Sequence, residues 1–507
     1  MLKFILRRFG SSFLVLLGAS LLLFVLTINS GDPLKDLRES NADNREYLIE
    51  QRVDFMGLDQ PWYARYWDWL TGVGKCVIGQ CDLGTNRSGQ QVIDLLGLAA
   101  ASTLRLVVLA TVIAMVFGVL IGILTAIRQY SGIDYVVTFL TFMFFSLPVF
   151  WAAVLLKEYL AIGFNDWLAS PDPGFSWPTI IVVGLVLGLA LQAILAGHAR
   201  RRLFTFLGAF AFTCAALPYM DWLNFARYPQ LGPVVITLVG VAAAVGATVL
   251  GAGLKNRRVL YAGLITAALG LVAYYATYGL LWDPNWLIIL ILAVVAIGVA
   301  IAIGRLMGGY SKGAATLVSV FTAVVMGGLI MVEHLFRAWP SYLQIVGRPI
   351  ATIGSETPNF TGTFWEDFLD KGTQLLLPTI LLALISLASY SRYTRASMLE
   401  VGQQDYIRTA RAKGLNERQV ILKHAFRNSL IPITTIMAFD FAGLIGGAVI
   451  TEQVFGWKGM GELFRTGLIQ VDPAPVMAFF LVTGTAAVLF NLLADILYAV
   501  LDPRIRV

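Results

Sequence analysis

Apolar runs of bilayer length recur along this chain, and no other feature constrains its fold as much. A helix needs about 20 consecutive, mostly apolar residues to cross the hydrocarbon core of a membrane. Runs at or beyond that length recur between residues 9 and 501. They are continuous rather than alternating, which argues against a membrane β-barrel. Backbone polar groups find no water inside a bilayer, so each run must satisfy its own as a helix. With 58% hydrophobic side chains and a mean hydropathy of +0.74, the chain is predicted to be an all-α polytopic membrane protein. Its net charge of +6 would suggest a nucleic-acid partner in a soluble protein. Here Lys and Arg gather at the ends of apolar runs, where they act as topology signals, and no nucleic acid is expected.

The reading gives about twelve transmembrane helices. Residues 1–30 hold the first, a basic start (MLKFILRR) ahead of the run 9–29, read as an uncleaved span with its N-terminus inside. Residues 31–97 form an external domain whose aromatic stretch 57–70 suits the membrane interface. Residues 98–165 hold the second and third spans, 99–127 and 135–160, the latter interrupted at Ser146-Leu147-Pro148. Lys157 and Glu158, near the outer end, are expected to pair or to reach the interface. A block at 177–337 reads as six further spans, near 178–196, 203–220, 232–253, 259–281, 286–304 and 314–336. Basic turns (Arg200-Arg201-Arg202; Lys255, Arg257 and Arg258; Arg305 and Lys312) alternate with Trp-bearing turns (Asp221-Trp222; Trp282-Asp283; Arg337-Ala338-Trp339). Basic turns belong inside and Trp-bearing turns outside. The hairpins repeat at roughly 54 residues, which fits either a tandem duplication or simply helices cut to bilayer thickness. Glu333 and His334 are expected at the interface. An even number of spans leaves the sidedness of everything downstream unchanged.

After an outside stretch at 340–372, residues 373–507 hold a span at 373–390, a polar island at 392–428, a span near 430–451, an outside loop at 452–475 and a last span at 476–501. The basic tail 502–507 is placed inside, so both termini are expected to be cytoplasmic. Cys76 and Cys81 share one polar loop and can form a disulfide if that loop is extracytoplasmic, while Cys214 sits in an apolar run. There is no CxxC pair, HExxH, His cluster or GxxxxGK[ST] loop. No metal, cofactor or catalytic constellation is therefore expected on this chain, and it is not read as an enzyme.

The island (RYTRASMLEVGQQDYIRTARAKGLNERQVILKHAFRN) is strongly basic in a chain with only 13% charged residues. It reads as a helix over 402–411, a Gly-containing turn at 412–415, and a second helix from Asn416 or Glu417. Asn416 is a good N-cap and Glu417 a carboxylate in the first turn. Tyr406, Ala410 and Lys413 fall at i, i+4 and i+7, a mixed face suited to docking. Ala410 and Gly414 are small enough for a partner's backbone to approach. The plain alternative is a solvated basic loop that only sets topology.

Residues 404–415 (QDYIRTARAKGL) and 420–432 (VILKHAFRNSLIP) closely resemble the coupling-loop signature of binding-protein-dependent ABC permeases, in particular the oligopeptide/dipeptide/nickel subfamily. Ordered motifs elsewhere are similar to the same subfamily. Before the island these are Gly31-Asp32-Pro33, Leu58-Asp59-Gln60-Pro61, Asp82-Leu83-Gly84-Thr85 and Leu377-Pro378. After it come residues 447–452, Phe455-Gly456-Trp457-Lys458-Gly459-Met460-Gly461, Asn491 with Asp495, and Asp502-Pro503-Arg504. The resemblance covers about 1–165 and 373–507. It departs from the family's pattern at 177–337, where ordinary members carry a short external loop.

The resemblance implies a six-helix permease core plus six inserted helices. It implies a bacterial plasma (inner) membrane location and peptides as cargo, with nickel chelates, oligosaccharides or other solutes as alternatives. The expected partners are a second homologous permease subunit, two ABC ATPase subunits, an external solute-binding protein and membrane lipid. ATP would be used by the partner subunits and not by this chain. Asp405, Tyr406, Arg408, Thr409, Ala410, Arg411, Lys413 and Gly414 are the expected ATPase-coupling residues. Asp440, a carboxylate inside an apolar span, is read either as a cavity-lining group or as a helix-packing hydrogen bond. Asp495 is read as structural, and Glu452 as a cap or a contact for the binding protein. A stand-alone secondary transporter of twelve spans is the competing class.

Overall fold

The computed structural model describes residues 2–195 and 197–501. The expectations for the side chain of Asp495 and for the tail 502–507 fall outside what it describes. The described chain is helical almost throughout. Among the described residues there is no β-strand, only an isolated bridge between Thr85 and Gln91.

In chain order the helices begin with α1 (Leu2–Ile28), α2 (Lys35–Arg38), α3 (Arg45–Met56), α4 (Trp62–Lys75) and α5 (Val92–Ile127). There follow α6 (Gly132–Ser146), α7 (Val149–Leu156), α8 (Gly163–Ala169), α9 (Trp177–Leu195), α10 (Ala199–Trp222) and α11 (Gly232–Gly251). Next are α12 (Arg257–Ala276), α13 (Trp286–Met307), α14 (Lys312–Val346), α15 (Phe364–Gly402), α16 (Asp405–Ala412) and α17 (Glu417–Gln419). The last four are α18 (Phe426–Gly447), α19 (Val449–Val454), α20 (Met460–Ile469) and α21 (Pro473–Leu501).

Ten helices among the described residues are long and apolar enough to cross a membrane. A further span is broken. Between α6 and the helical run that follows, the chain bends by 106°, at Leu147-Pro148, because proline removes a backbone donor and clashes with the preceding turn. The expected span 430–451 corresponds to α18, which is not among the ten. Two helices run past their expected ends. The turn expected at Arg337-Ala338-Trp339 is helical, and α14 continues through Pro340 to Val346. Likewise α15 continues through the first part of the polar island to Gly402.

Two compact units divide the chain. The first comprises residues 1–161, 352–355 and 374–507, and the second 162–351 and 356–373. In the first unit α5 is the central element, with α18, α20 and α21 packed against it and α1 against α21. Gly118 and Gly122 of α5 let α15 come close. A Cβ at Gly118 would lie 2.8 Å from the Tyr390 Cβ, and one at Gly122 would lie 2.7 Å from the Ser391 carbonyl. This is the small-xxx-small pattern that lets two backbones approach within a bilayer. The segment 31–97 is tied to the spans through α4. Its Tyr66 is buried against Phe24 and Met477, and its hydroxyl meets Ser20 Oγ at 2.8 Å. Asp36 is gripped by two guanidiniums, Arg52 and Arg87, each at 2.6 Å. Cys76 and Cys81 are joined by a disulfide that closes the loop after α4.

In the second unit α14 packs against α11, α12 and α13, and α9 pairs with α10. Glu333 and His334, expected at the interface, are instead buried, at 1% and 4% exposure. The reason is tertiary. The Glu333 carboxylate accepts from the backbone N–H groups of Leu231 (2.7 Å) and Gly232 (3.2 Å) at the start of α11. It also pairs with Arg337 at 2.8 Å. A carboxylate is stabilised at a helix N-terminus, where backbone donors are otherwise unpaired. His334 stacks on Trp365, ring centroids 5.3 Å apart.

Candidate functional site

The polar island folds around a short helix standing clear of the spans. α15 ends at Gly402, and Gln404 adopts an extended conformation that starts α16 with Asp405 in its first turn. The helix ends in a Schellman motif. The Gly414 N–H donates to the Arg411 carbonyl at 2.9 Å, and the Leu415 N–H to the Ala410 carbonyl at 3.4 Å. That closure requires a left-handed residue, and Gly414 supplies it at φ +78°. Asn416 then caps the next helix, its side-chain oxygen accepting from the Gln419 N–H at 2.8 Å. Arg411 clasps Glu417 across the turn with two hydrogen bonds, 3.2 and 2.7 Å. That contact holds the Glu417 carboxyl below its usual 4.5. The helix, Gly turn and capped second helix stand as the spacing predicts, with α16 starting at Asp405 rather than 402.

One side of α16 is apolar and turned inward. Ile407 and Ala410 are buried, at 0% and 6% exposure, among Met398 of α15, Val420, Ala425 and the partly buried Ile123 and Ala126 of α5. Asp405, Tyr406, Arg408, Thr409, Arg411, Lys413 and Gly414 are exposed. This corrects the expectation for Ala410. Its small side chain does not await a partner's backbone; it fits α16 onto the chain's own helices. A periodic pattern marks two faces but does not say which is turned inward. Within the helix, Arg408 and Asp405 make a loose contact at 3.6 Å between exposed groups, which adds little.

The end of α15 that leads into this helix is fixed by an ion pair that sequence reasoning missed. Arg395 of α15 grips Asp134 of α6 with two parallel bonds, 2.8 and 2.9 Å, and the Tyr130 N–H donates to the same carboxylate at 3.0 Å. Asp134 is almost fully buried. Bidentate Arg–carboxylate pairs fix orientation as well as distance. A lone acidic residue beside a span-connecting turn was the only available signal. Between α17 and α18 the chain forms a π-helical turn over Val420–Ala425, a wide-ring geometry that often marks functional positions.

Farther along, Asp440 is half-buried and accepts a 2.6 Å hydrogen bond from the Tyr390 hydroxyl, which ties α18 to α15. Glu452 is fully buried. It accepts from Thr103 Oγ1 (2.6 Å) and from the backbone N–H groups of Gly461 (2.7 Å) and Glu462 (3.3 Å) at the start of α20. It is thus a cap, and its burial removes it from contact with an external protein. Gly459 and Gly461 leave room for the carboxylate. A Cβ at Gly461 would lie 2.6 Å from the Val449 Cα. Lys157 neither pairs with Glu158 nor reaches out; it donates to the Val454 carbonyl at 3.1 Å. Where the segment 31–97 meets the start of α21, a cavity of about 360 Å³ is lined by Arg65, Asp68, Asp82 and Asp472 together with Phe24 and Trp69.

Residues 316–507 match the family described as the inner membrane component of binding-protein-dependent transport systems, and residues 1–92 match that component's N-terminal family. Together the two matches cover more than half of the chain. The chain belongs to this family. The residues of the polar island, the Asp134 partner Arg395 and the Glu452 cradle all lie in the matched regions or pack on them, whereas residues 93–315 lie between the two matches. This transport-system membrane component is 41% identical to the oligopeptide transport system permease protein OppB of Mycobacterium bovis over 193 residues, 38% of this chain and 58% of that one. It is 26% identical to the oligopeptide transport system permease protein AppB of Bacillus subtilis across the full length of both. It is 44% identical to the dipeptide transport system permease protein DppB of Escherichia coli over 148 residues, 29% of this chain and 44% of that one. The chain thus spans a little over half the length of the mycobacterial relatives it matches.

Proposed function

We propose that this chain is the permease subunit of an ATP-driven importer that moves peptides delivered by an external binding protein. It works with a second, homologous permease and two ABC ATPase subunits. The observation that carries the reading is α16, an exposed basic helix anchored through Ile407 and Ala410 to α5 and α15 and stiffened by the Schellman turn and the Arg411–Glu417 clasp. A helix held on one side and free on the other suits insertion into a groove on an ATPase. Closure of the ATPase pair around ATP would then pull on α5 and α15 and alternate access to a central path. ATP is bound and hydrolysed by the partners; this chain binds no cofactor and catalyses no reaction.

Peptides are favoured as cargo because the relatives bear the names oligopeptide and dipeptide permease. On this reading Asp440, half-buried and bonded to Tyr390, is the group assigned to meet a peptide's amino terminus. Basic turns inside, Trp-bearing turns outside and the disulfide-closed external loop support a bacterial plasma membrane location with both termini cytoplasmic.

The test is co-purification and peptide uptake with outer-face variants, Tyr406→Ala and Arg408→Glu. Both should release the ATPase subunits and abolish uptake while the chain keeps its melting temperature. Retained ATPase binding and uptake in both variants would overturn the reading. ATP-independent uptake driven by an ion gradient would favour the secondary-transporter class instead.

A further inference from the structure

The second unit carries a concentrated charge that the coupling function does not use. At one end of the α11–α14 bundle, three helix ends bring together Lys255, Arg257, Arg258, Arg305 and Lys312, all exposed. The segments that bear them, residues 251–258 and 304–313, contain no acidic residue. Among the described residues none of the five forms an ion pair, although ten other pairs are found among those residues. Cations held close without counter-ions repel one another, so an anion from outside the chain would stabilise the patch.

The patch is built rather than a loose tail. Asn256 Nδ2 donates to Ser311 Oγ at 2.8 Å, fastening the α11–α12 turn to the α13–α14 turn. The Arg258 guanidinium lies against Gly309, which has φ +51° and where a Cβ would collide with Nη1. Beside the cations stand exposed apolar and aromatic side chains, Leu250, Leu254, Leu306 and Tyr310. A cationic end bordered by apolar flanks matches a molecule with an anionic head and a hydrocarbon body.

From this juxtaposition we propose that the five-cation end of the second unit is a binding site for the headgroup of an anionic phospholipid, with the acyl chains lying along α11 and α13. Each Lys or Arg near a membrane surface strengthens attraction for anionic lipid by about fivefold. The site gives the extra helices a concrete role in holding lipid, independent of the cargo and of ATPase coupling.

Topology signalling alone would also place Lys and Arg at these turns, and the chain supplies its own control. Arg200, Arg201 and Arg202 are equally basic and exposed but sit on a single helix start. The full chain, purified and exchanged into phosphatidylglycerol or phosphatidylcholine, is examined by native mass spectrometry and by thermal melting in nanodiscs of each lipid. Wild type should retain phosphatidylglycerol over phosphatidylcholine and melt higher in it. Lys255→Gln/Arg257→Gln/Arg258→Gln should lower that retention by at least about tenfold. Arg200→Gln/Arg201→Gln/Arg202→Gln, which removes the same charge from a single helix start, should lower it clearly less than the first triple variant does. Equal losses in the two triple variants, or no lipid preference in wild type by either measurement, would overturn the site. Displacement of the lipid by inorganic phosphate alone would overturn its assignment to a phospholipid.

Discussion

Glu452 shows how one buried carboxylate can organise a loop. Its two oxygens serve Thr103 of α5 and the first N–H groups of α20, and the glycines at 459 and 461 exist where any larger residue would press on it. Glu452→Ala strands these donors in a dry environment and should cost about 3 kcal/mol, read as a lowered melting temperature in detergent. Unchanged melting would mean that water replaces the carboxylate. The clasp between Arg411 and Glu417 makes a pH prediction at the same scale. The Glu417 carboxyl is held below its usual value by Arg411, so its contribution is present above about 4.5 and is lost as pH falls through the lowered folded value. Hydrogen exchange over residues 412–417 should be flat, once corrected for intrinsic rates, from neutral pH to about pH 5 and should accelerate only below about 4.5. Acceleration between neutral pH and pH 5 would contradict the assignment. Both groups are nearly half exposed or more, so the effect is small and screened by salt.

At the scale of elements, what was legible in the sequence was local, and what was missed was distant. The Gly414 turn and the Asn416 cap could be read because a Schellman glycine and an N-cap act within a few residues. The Glu452 cradle joins residues 349 apart in sequence. The Asp134–Arg395 pair joins residues 261 apart. Glu333 was misplaced at the interface because its partners lie near residues 231 and 274. Ala410 was misassigned because periodicity fixes a face, not its direction. The contact of α5 with α15 is the element-scale claim that matters most for transmission. Gly122→Leu would drive a branched side chain into the Ser391 backbone and Thr394, an overpacking that costs about 1–3 kcal/mol or more. Folded yield should fall while Gly97→Leu, at an open position, leaves it unchanged; equal yields would contradict the close helix contact.

For the whole molecule, the all-α polytopic class follows from composition and run length, and ten described helices meet the requirement for crossing a membrane. The two compact units were foreshadowed by the long apolar block, and the break of the third span by its Ser146-Leu147-Pro148, yet hydropathy alone did not reveal that α14 continues to Val346. The first unit contains the features that resemble the family, and there α16 is attached on its inner face to α5 and α15. The central claim is that the opposite face of α16 meets an ATPase. New cysteines at Arg408 and at Ile407, each in a chain whose free Cys214 is replaced by Ser and co-expressed with its transport partners, test it by short-range cross-linking. The account predicts that Arg408→Cys cross-links to an ATPase subunit, more strongly with bound ATP, and that the buried Ile407→Cys does not. Cross-linking from neither position, or equally from both, would contradict it.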